Sequence, residues 1–398
     1  MAQLEDRAKN NTDPVACAAA LRELLLRNAA KTEQDRRIPE ENIRALDASN
    51  LFRVVIPRRW GGYGVPIATA LRVSAEIARS CPSTAWVQML LNVSTWTATL
   101  LPDRGQQEIF AGPSNGRVCG VLTPTSKAVR VKGGYQVTGR WSFASGCWHA
   151  SWAVLGIPLE DETGKVVDQA VGYIPMSELE IEDTWFVAGM RGTGSNTLIA
   201  KAVFVPDRRV LSMSRSIGGE YQTRSGADEP CDHYAFVPLL ALVLLGPILG
   251  MAQAVLEAVT ASAHKRGITY TIYERQTDSP VVHQQVGEAA LQIDSAWLLT
   301  MRAAADIHET ALARRVMDYV TRARVRGECG YAVRLVRQAI DTLVSIAGAG
   351  SFAEASPVQR FWRDANVATR HAVAATMPNL ELYGRALLGV EGNITDLI

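Results

Sequence analysis

Nothing in this sequence reads as a metal centre, a disulfide scaffold or a phosphate-binding loop. Its six cysteines, Cys17, Cys81, Cys119, Cys147, Cys231 and Cys329, show no Cys-x-x-Cys pair and no Cys/His ligand spacing. That argues against structural zinc and suits free thiols in a reducing compartment. Charge of either sign is not in excess: 41 Lys and Arg face 40 Asp and Glu, leaving +1. Without a basic or acidic block, neither a nucleic acid nor a membrane surface is expected as partner. Gly-x-x-x-x-Gly-Lys and His-Glu-x-x-His are both missing, which removes NTPase and zincin chemistry. The run Gly189-Met-Arg-Gly192-Thr-Gly194-Ser195 is followed by a strand pattern, so it offers no helix N-terminus to a pyrophosphate. The chain therefore has no nicotinamide-nucleotide domain of its own. Around Glu5 and Asp6 no signal-peptide pattern occurs, and cytoplasmic residence is the expectation.

What is present is apolar content enough to fill more than one core in 398 residues. The hydrophobic period divides the chain. Residues 1–115 read as an N-terminal helical domain, with Leu21, Leu24, Leu25 and Asn28 on one helix and Pro39-Glu40-Glu41 opening the next. The glycine-rich Pro57-to-Gly64 stretch interrupts them as a tight loop. Residues 116–215 alternate instead. Val129 and Val131, then Tyr135 and Val137, flank Gly133-Gly134 as a hairpin, and strands are predicted over 152–157, 170–174 and 196–205. An antiparallel barrel or sandwich follows from that pattern. A polar connecting loop over 216–235 leads to a helical bundle over 236–398. Ala235 to Ala252 is eighteen residues without a charge, but Pro238, Gly246, Pro247 and Gly250 lie inside it, so a buried bundle helix explains it better than a membrane span. Val282, Val286, Ala289, Ile293, Trp297 and Met301 keep one stripe along a long helix. The expected class is α+β, mostly α, with a four-helix-type C-terminal bundle.

Ser356 to His371, SPVQRFWRDANVATRH, concentrates the chemistry. Pro357 after Ser356 is a helix start, and Phe361, Ala365, Ala368 and Ala372 recur at helical spacing. Arg363, Asp364 and His371 are then predicted on one helix, the histidine two turns beyond the aspartate. Such an imidazole is either a hydrogen-bonded core residue or a group facing a cleft.

The helix, β-domain, helix order, the Pro57-to-Gly64 loop, Met190-Arg-Gly-Thr-Gly-Ser195 leading to Val205-Pro206, Gly348-Ala-Gly350 and Pro357-Val-Gln-Arg-Phe-Trp-Arg-Asp364 together resemble the acyl-CoA dehydrogenase superfamily. The likeness spans nearly the whole chain. It implies a flavin between the β-domain and the C-terminal bundle of a homotetramer whose subunits share cofactor contacts. In dehydrogenases of that fold a glutamate removes the proton alpha to the thioester carbonyl. Its two known places fall here on Ala372 and Leu239, neither of which accepts a proton. The pattern is similar to the branch of flavin-dependent monooxygenases, the oxygenase components of two-component hydroxylases that act through a flavin C4a-hydroperoxide on aromatic or other electron-rich molecules, including actinomycete polyketides.

The resemblance also assigns residues. Phe143 and Ser145 of Trp141-Ser-Phe-Ala-Ser-Gly-Cys147 stand where the family has a Trp and a Thr. Strand alternation would turn both to one face, the ring over the flavin and the hydroxyl on its N5. Thr123 matches a further flavin contact. Arg275 matches an arginine that reaches the pyrophosphate of a neighbouring subunit's flavin, although Asp278-Ser279 replaces the family's Phe-Gly after it. Gly348 and Gly350 would let backbone approach the same pyrophosphate, or simply cap a helix. FAD, as FADH2, is thus favoured over FMN. Arg363 and Asp364 read as an ion pair beneath the site. Asn92, Ser94, Trp96 and Trp148 are the candidate substrate contacts, with packing as the other reading of the tryptophans. His371 and Ser145 are the candidate catalytic residues, and a separate NAD(P)H:flavin reductase is the expected electron source. N-oxygenation of an amine, a dehydrogenase with an unrecognised base, and a non-catalytic helical binding protein are the alternatives.

Overall fold

The computed structural model describes residues 13–112, 116–160, 163–224 and 226–398; the stretch around Glu5 and Asp6 lies outside them. The chain begins with α1 (Pro14–Ala20), α2 (Arg22–Gln34), α3 (Glu40–Ala48), α4 (Ile67–Ala78), α5 (Pro82–Ala98) and α6 (Asp103–Phe110). Asp13 caps α1 by accepting from the Val15 N–H at 3.0 Å, and Glu40 and Glu41 sit in the first turn of α3, where carboxylates complement the helix dipole. Helix α5 is buried nearly all round, so it is the axle of this part rather than a surface helix.

The β-region follows as β1 (Val118–Val121), β2 (Ser126–Val131), β3 (Gly134–Ala144), β4 (Trp152–Glu160), β5 (Val166–Pro175), β6 (Glu180–Glu182), β7 (Asn196–Pro206) and β8 (Val210–Ser212). The predicted hairpin is present: Val131 pairs with Gly134, and the turn residue Gly133 has φ +82°. Two four-stranded sheets form, in the orders β1-β4-β5-β8 and β2-β3-β7-β6. Among the described residues they close into no barrel, so the sandwich alternative is the right one. The expectation of a wholly antiparallel domain is corrected too, because β1 runs parallel to β4. The chain reaches β4 from β1 by way of the β2-β3 hairpin in the other sheet, and that crossover permits the parallel pair. Trp141 of β3, fully buried, ties the sheets together by donating from Nε1 to the Gly156 carbonyl of β4 at 2.9 Å.

After α7 (Met213–Ile217), the predicted connecting loop is anchored. Glu229 accepts from the Arg58 N–H at 2.6 Å, and Arg59 pairs with buried Asp232 at 2.6 Å. The remainder is α8 (Phe236–Leu242), α9 (Leu245–Ala263), α10 (Pro280–Leu312), α11 (Tyr319–Ala347), α12 (Pro357–Ala368) and α13 (Thr376–Leu388). The uncharged run falls on α8 and α9, and almost every residue from Phe236 to Val255 is buried in the bundle, which accounts for its apolarity.

One contact joins this bundle to the β-region. Gly189 lies so close to α12 that a Cβ there would stand 2.4 Å from the Arg363 carbonyl oxygen, and the next residue, Met190, donates its N–H to the buried carboxylate of Asp364. The predicted Arg363–Asp364 ion pair is absent. Arg363 turns instead to Glu33 of α2 at 2.6 Å, to Gln359 at 2.6 Å and to the Ala188 carbonyl at 2.5 Å, while Asp364 is taken by the Met190 N–H. Burial pushes the Asp364 carboxyl up to about 7, against the pull of the Met190 N–H.

This raised value predicts a pH-dependent effect. An unfolded aspartate titrates near about 3.9, so ionising Asp364 weighs against the native state progressively from about pH 4 to pH 7 and fully above. Asp364→Asn, which keeps an acceptor for Met190, should stabilise the protein at pH 8 by roughly 1–4 kcal/mol and give no gain near pH 4. Denaturant unfolding at both pH values measures this; an equal loss of stability at the two would contradict it.

Candidate active site

Helix α5 brings the site together with three adjacent side chains. Trp86 meets the His371 ring edge-on, with centroids 5.9 Å apart and planes at 61°. Val87 lies beneath Gly146, where a Cβ would stand only 2.7 Å from its Cγ1; Gly146 also has φ +73°, a conformation natural to glycine. Ser83 abuts Gly192 of the loop that precedes β7. His371, Gly146 beside Ser145, and the 189–195 loop are therefore all packed against α5.

His371 is not on the helix predicted for it. Helix α12 stops at Ala368 because Thr369 Oγ1 donates back to the Ala365 carbonyl at 2.6 Å and Arg370 folds onto Asn366, satisfying last-turn acceptors with side chains. His371 follows outside the helix and is exposed. Its Nδ1 accepts from the Val373 N–H at 3.3 Å, which places the proton of the neutral ring on Nε2. Protein packed around the rest of the residue lowers its pKa from the ordinary 6.5, so at neutral pH the ring is uncharged and offers an N–H donor.

Ser145 lies just past β3, and the predicted alternation with Phe143 fails there. A register shift between Trp141 and Ala144 and φ +69° at Phe143 turn the two side chains to different surroundings. Phe143 is 69% exposed, its ring edge-on to Trp185 at 5.7 Å. Trp185 is itself held by Asn196, whose Oδ1 accepts from its N–H at 3.1 Å. Ser145 is buried, its Oγ 2.7 Å from that of Ser195, which is 2.7 Å from Thr193 Oγ1.

The remaining predicted residues divide. Thr123 is exposed in the loop after β1. Trp148 stays partly exposed near Gly194, with the Arg37 guanidinium 5.2 Å from its ring centroid. Asn92, Ser94 and Trp96 are corrected to packing roles. Asn92 is buried, accepts from the Val54 N–H at 2.7 Å and donates to the Leu51 carbonyl at 2.6 Å. Trp96 is fully buried and donates to the Cys231 carbonyl at 2.7 Å. Ser94 packs beneath Gly120 of β1. Each uses its polar atoms or its surface inside the fold, leaving little for a ligand.

Arg275, Gly348 and Gly350 form a second group at the end of α11. Gln276 donates to the Ile346 carbonyl at 2.6 Å, which draws the Arg275 loop to Gly348, and Arg266 approaches Gly350. Arg275 is largely exposed and held by Asp278 at 3.0 Å. Gly348 has φ +69° and open space where a Cβ would stand.

These residues fit a flavin. Phe143, 69% exposed, presents open aromatic surface, while the arginine and glycine group suits a pyrophosphate. When bound, the cofactor supplies the electron pair for redox chemistry. Neither dehydrogenase base position carries a carboxylate: Leu239 is fully buried in α8, and Ala372 is exposed beside His371. The fold and the site thus define a flavin-dependent oxygenase built on an acyl-CoA dehydrogenase scaffold.

Comparison with known proteins gives the same result. Residues 16–108 match the family model "Acyl-CoA dehydrogenase, N-terminal domain" and 242–376 "Acyl-CoA dehydrogenase, C-terminal domain". The oxygenase subunit HsaA, a flavin-dependent monooxygenase of Mycobacterium tuberculosis, is 34% identical over 90% of this chain and 92% of its own. The oxygenase component of the FADH2-dependent resorcinol hydroxylase of a Rhizobium species is 30% identical over 95% and 94%. The structure of XiaF from a Streptomyces species, in complex with FADH2 and glycerol, superimposes with a TM-score of 0.91 at 33% identity, covering 99% of both chains. The chain belongs to the acyl-CoA dehydrogenase family, in its branch of reduced-flavin-dependent monooxygenases.

Sequence reasoning missed Thr193, Ser195, Trp86 and Trp185. Only the first two left a signal, two hydroxyls at alternate positions in a loop already conspicuous for its glycines.

Proposed function

We propose that this chain is the oxygenase component of a two-component hydroxylase that inserts one atom of dioxygen into an aromatic C–H bond of a phenol-like molecule, the other atom leaving as water, within natural-product biosynthesis. The observation that carries this reading is a neutral His371 Nε2–H donor and the Ser145 segment packed against the same helix, α5, while the fold's two base positions are Ala372 and Leu239. Relatives named for resorcinol and p-hydroxyphenylacetate hydroxylation support a phenolic substrate. A hydrogen-bond donor orients a phenolic oxygen and stabilises negative charge that gathers on it as the ring is attacked. Trp86 holds the imidazole plane, and the Val373 N–H fixes its tautomer. FAD is the cofactor, delivered reduced by a separate NAD(P)H:flavin reductase, and the six free thiols suit a cytoplasmic protein.

His371→Ala should lower the product formed per dioxygen consumed by roughly ten- to a hundredfold, the worth of a hydrogen bond to a charged oxygen. His371→Gln, which can restore an N–H donor, should recover part of it. Because the native imidazole stays neutral down to well below 6.5, the wild-type rate should show no His371 inflection between pH 6 and 8. An inflection near 6.5 that vanishes in His371→Gln would contradict the assignment.

The same reading includes a homotetramer that shares flavin sites. Leu291 and Leu298, seven residues apart on α10, are 67% and 73% exposed, and Tyr270 and Ile272 project fully from the loop that carries Arg275. Apolar surface of this kind is normally covered by a partner. Arg275→Ala should weaken flavin binding about tenfold without lowering the melting temperature. A monomer in solution that binds reduced flavin at full strength would contradict the shared site.

A further inference from the structure

Each serine or threonine hydroxyl has one proton to give, so a chain of hydroxyls that ends on a carbonyl has a fixed direction. Thr193 Oγ1 lies 2.8 Å from the Met190 carbonyl oxygen. A carbonyl has no proton, so Thr193 donates. Its proton is then committed, and the 2.7 Å contact with Ser195 requires Ser195 to donate to Thr193. The Ser195 proton is committed in turn, and the 2.7 Å contact with Ser145 requires Ser145 to donate to Ser195. Nothing in the chain is free to reverse. The Met190 carbonyl also accepts from Trp185 Nε1 at 3.0 Å, and the other side of that residue, its N–H, is held by Asp364. All three hydroxyl residues are buried, where a wrongly directed pair of oxygens would face each other without a proton between them.

We infer that Thr193 and Ser195 are positioning residues that strip Ser145 of donor capacity, so that its hydroxyl presents the site with lone pairs only and discriminates between redox states of the flavin. This inference rests on the flavin reading of the site. Reduced flavin carries a hydrogen on N5 and is a donor there; oxidised flavin carries only a lone pair. A hydroxyl that can accept but not donate favours the former and repels the latter. Selection of the reduced cofactor is thereby written into the polarity of a hydrogen-bond chain anchored on α12, and Thr193 and Ser195 set the preference without being required to touch the ligand.

Dissociation constants of the purified full-length protein for oxidised FAD, by fluorescence, and for FADH2, by anaerobic titration, test the inference in the absence of turnover. Wild type should bind FADH2 more tightly. Ser195→Ala and Thr193→Val each release a proton for Ser145 to donate, so oxidised FAD should bind roughly three- to tenfold more tightly than to wild type, while Thr193→Ser keeps the wild-type preference. Ser145→Ala should lose affinity for FADH2 and, with the opposing lone pair gone, bind oxidised FAD no less tightly than wild type. A merely structural role would weaken both ligands together and would not produce a gain. The inference is overturned if oxidised FAD binds Ser195→Ala and Thr193→Val, both melting as wild type does, no more tightly than it binds wild type. It is equally overturned if wild type binds the two redox states alike. A wild type that binds neither overturns the flavin reading itself along with it.

Discussion

The Met190 peptide is the hinge on which the site depends. Its N–H is taken by Asp364 of the bundle, and its carbonyl by Thr193 and Trp185 of the β-region. A residue with φ +56° held from both sides in this way cannot relax without separating the two halves of the molecule. Gly189 allows the approach. The helix carrying Asp364 leads directly to His371, and the loop carrying Met190 leads directly to Ser195, so one buried carboxylate ties together the segments that carry the donor and the acceptor. A buried acid is a costly way to make such a joint when it ionises, and its pKa near 7 reports that cost.

Polarity at His371 and Ser145 is built from backbone groups. Val373 N–H decides which nitrogen of His371 is protonated, and the Met190 carbonyl decides which way three hydroxyls point. Such groups do not titrate, so the donor at His371 and the acceptor at Ser145 persist across the neutral range. That constancy suits chemistry in which an acid or base change would divert the reaction, since the site orients without exchanging protons at rest. It also separates this chain from dehydrogenases of the same fold, which need a carboxylate where Ala372 and Leu239 stand.

Much of the architecture was legible from residues alone. The Gly133 hairpin, the long α10 stripe and the helix start at Ser356-Pro357 are each set by local chemistry, and each appears where it was expected. The misses are tertiary. The parallel pairing of β1 with β4 depends on the path of an intervening hairpin. Phe143 adopts a left-handed backbone that no phenylalanine advertises, which broke the alternation with Ser145. His371 left its helix because Asn366, Thr369 and Arg370 capped the last turn with side chains, a competition that periodicity does not register. Asn92 and Trp96 looked like pocket residues because they are polar or aromatic in an apolar helix, whereas their partners are backbone atoms of distant segments.

The central claim is that this scaffold activates oxygen and does not abstract an alpha proton. Its most direct test is isotopic: protein loaded with anaerobically reduced FAD is mixed with a panel of phenols under ¹⁸O-labelled dioxygen, and the products are weighed by mass spectrometry. The account predicts a hydroxylated phenol carrying one ¹⁸O atom. Contradiction would be no labelled product, together with bleaching of oxidised, protein-bound FAD when an acyl-CoA is added without oxygen.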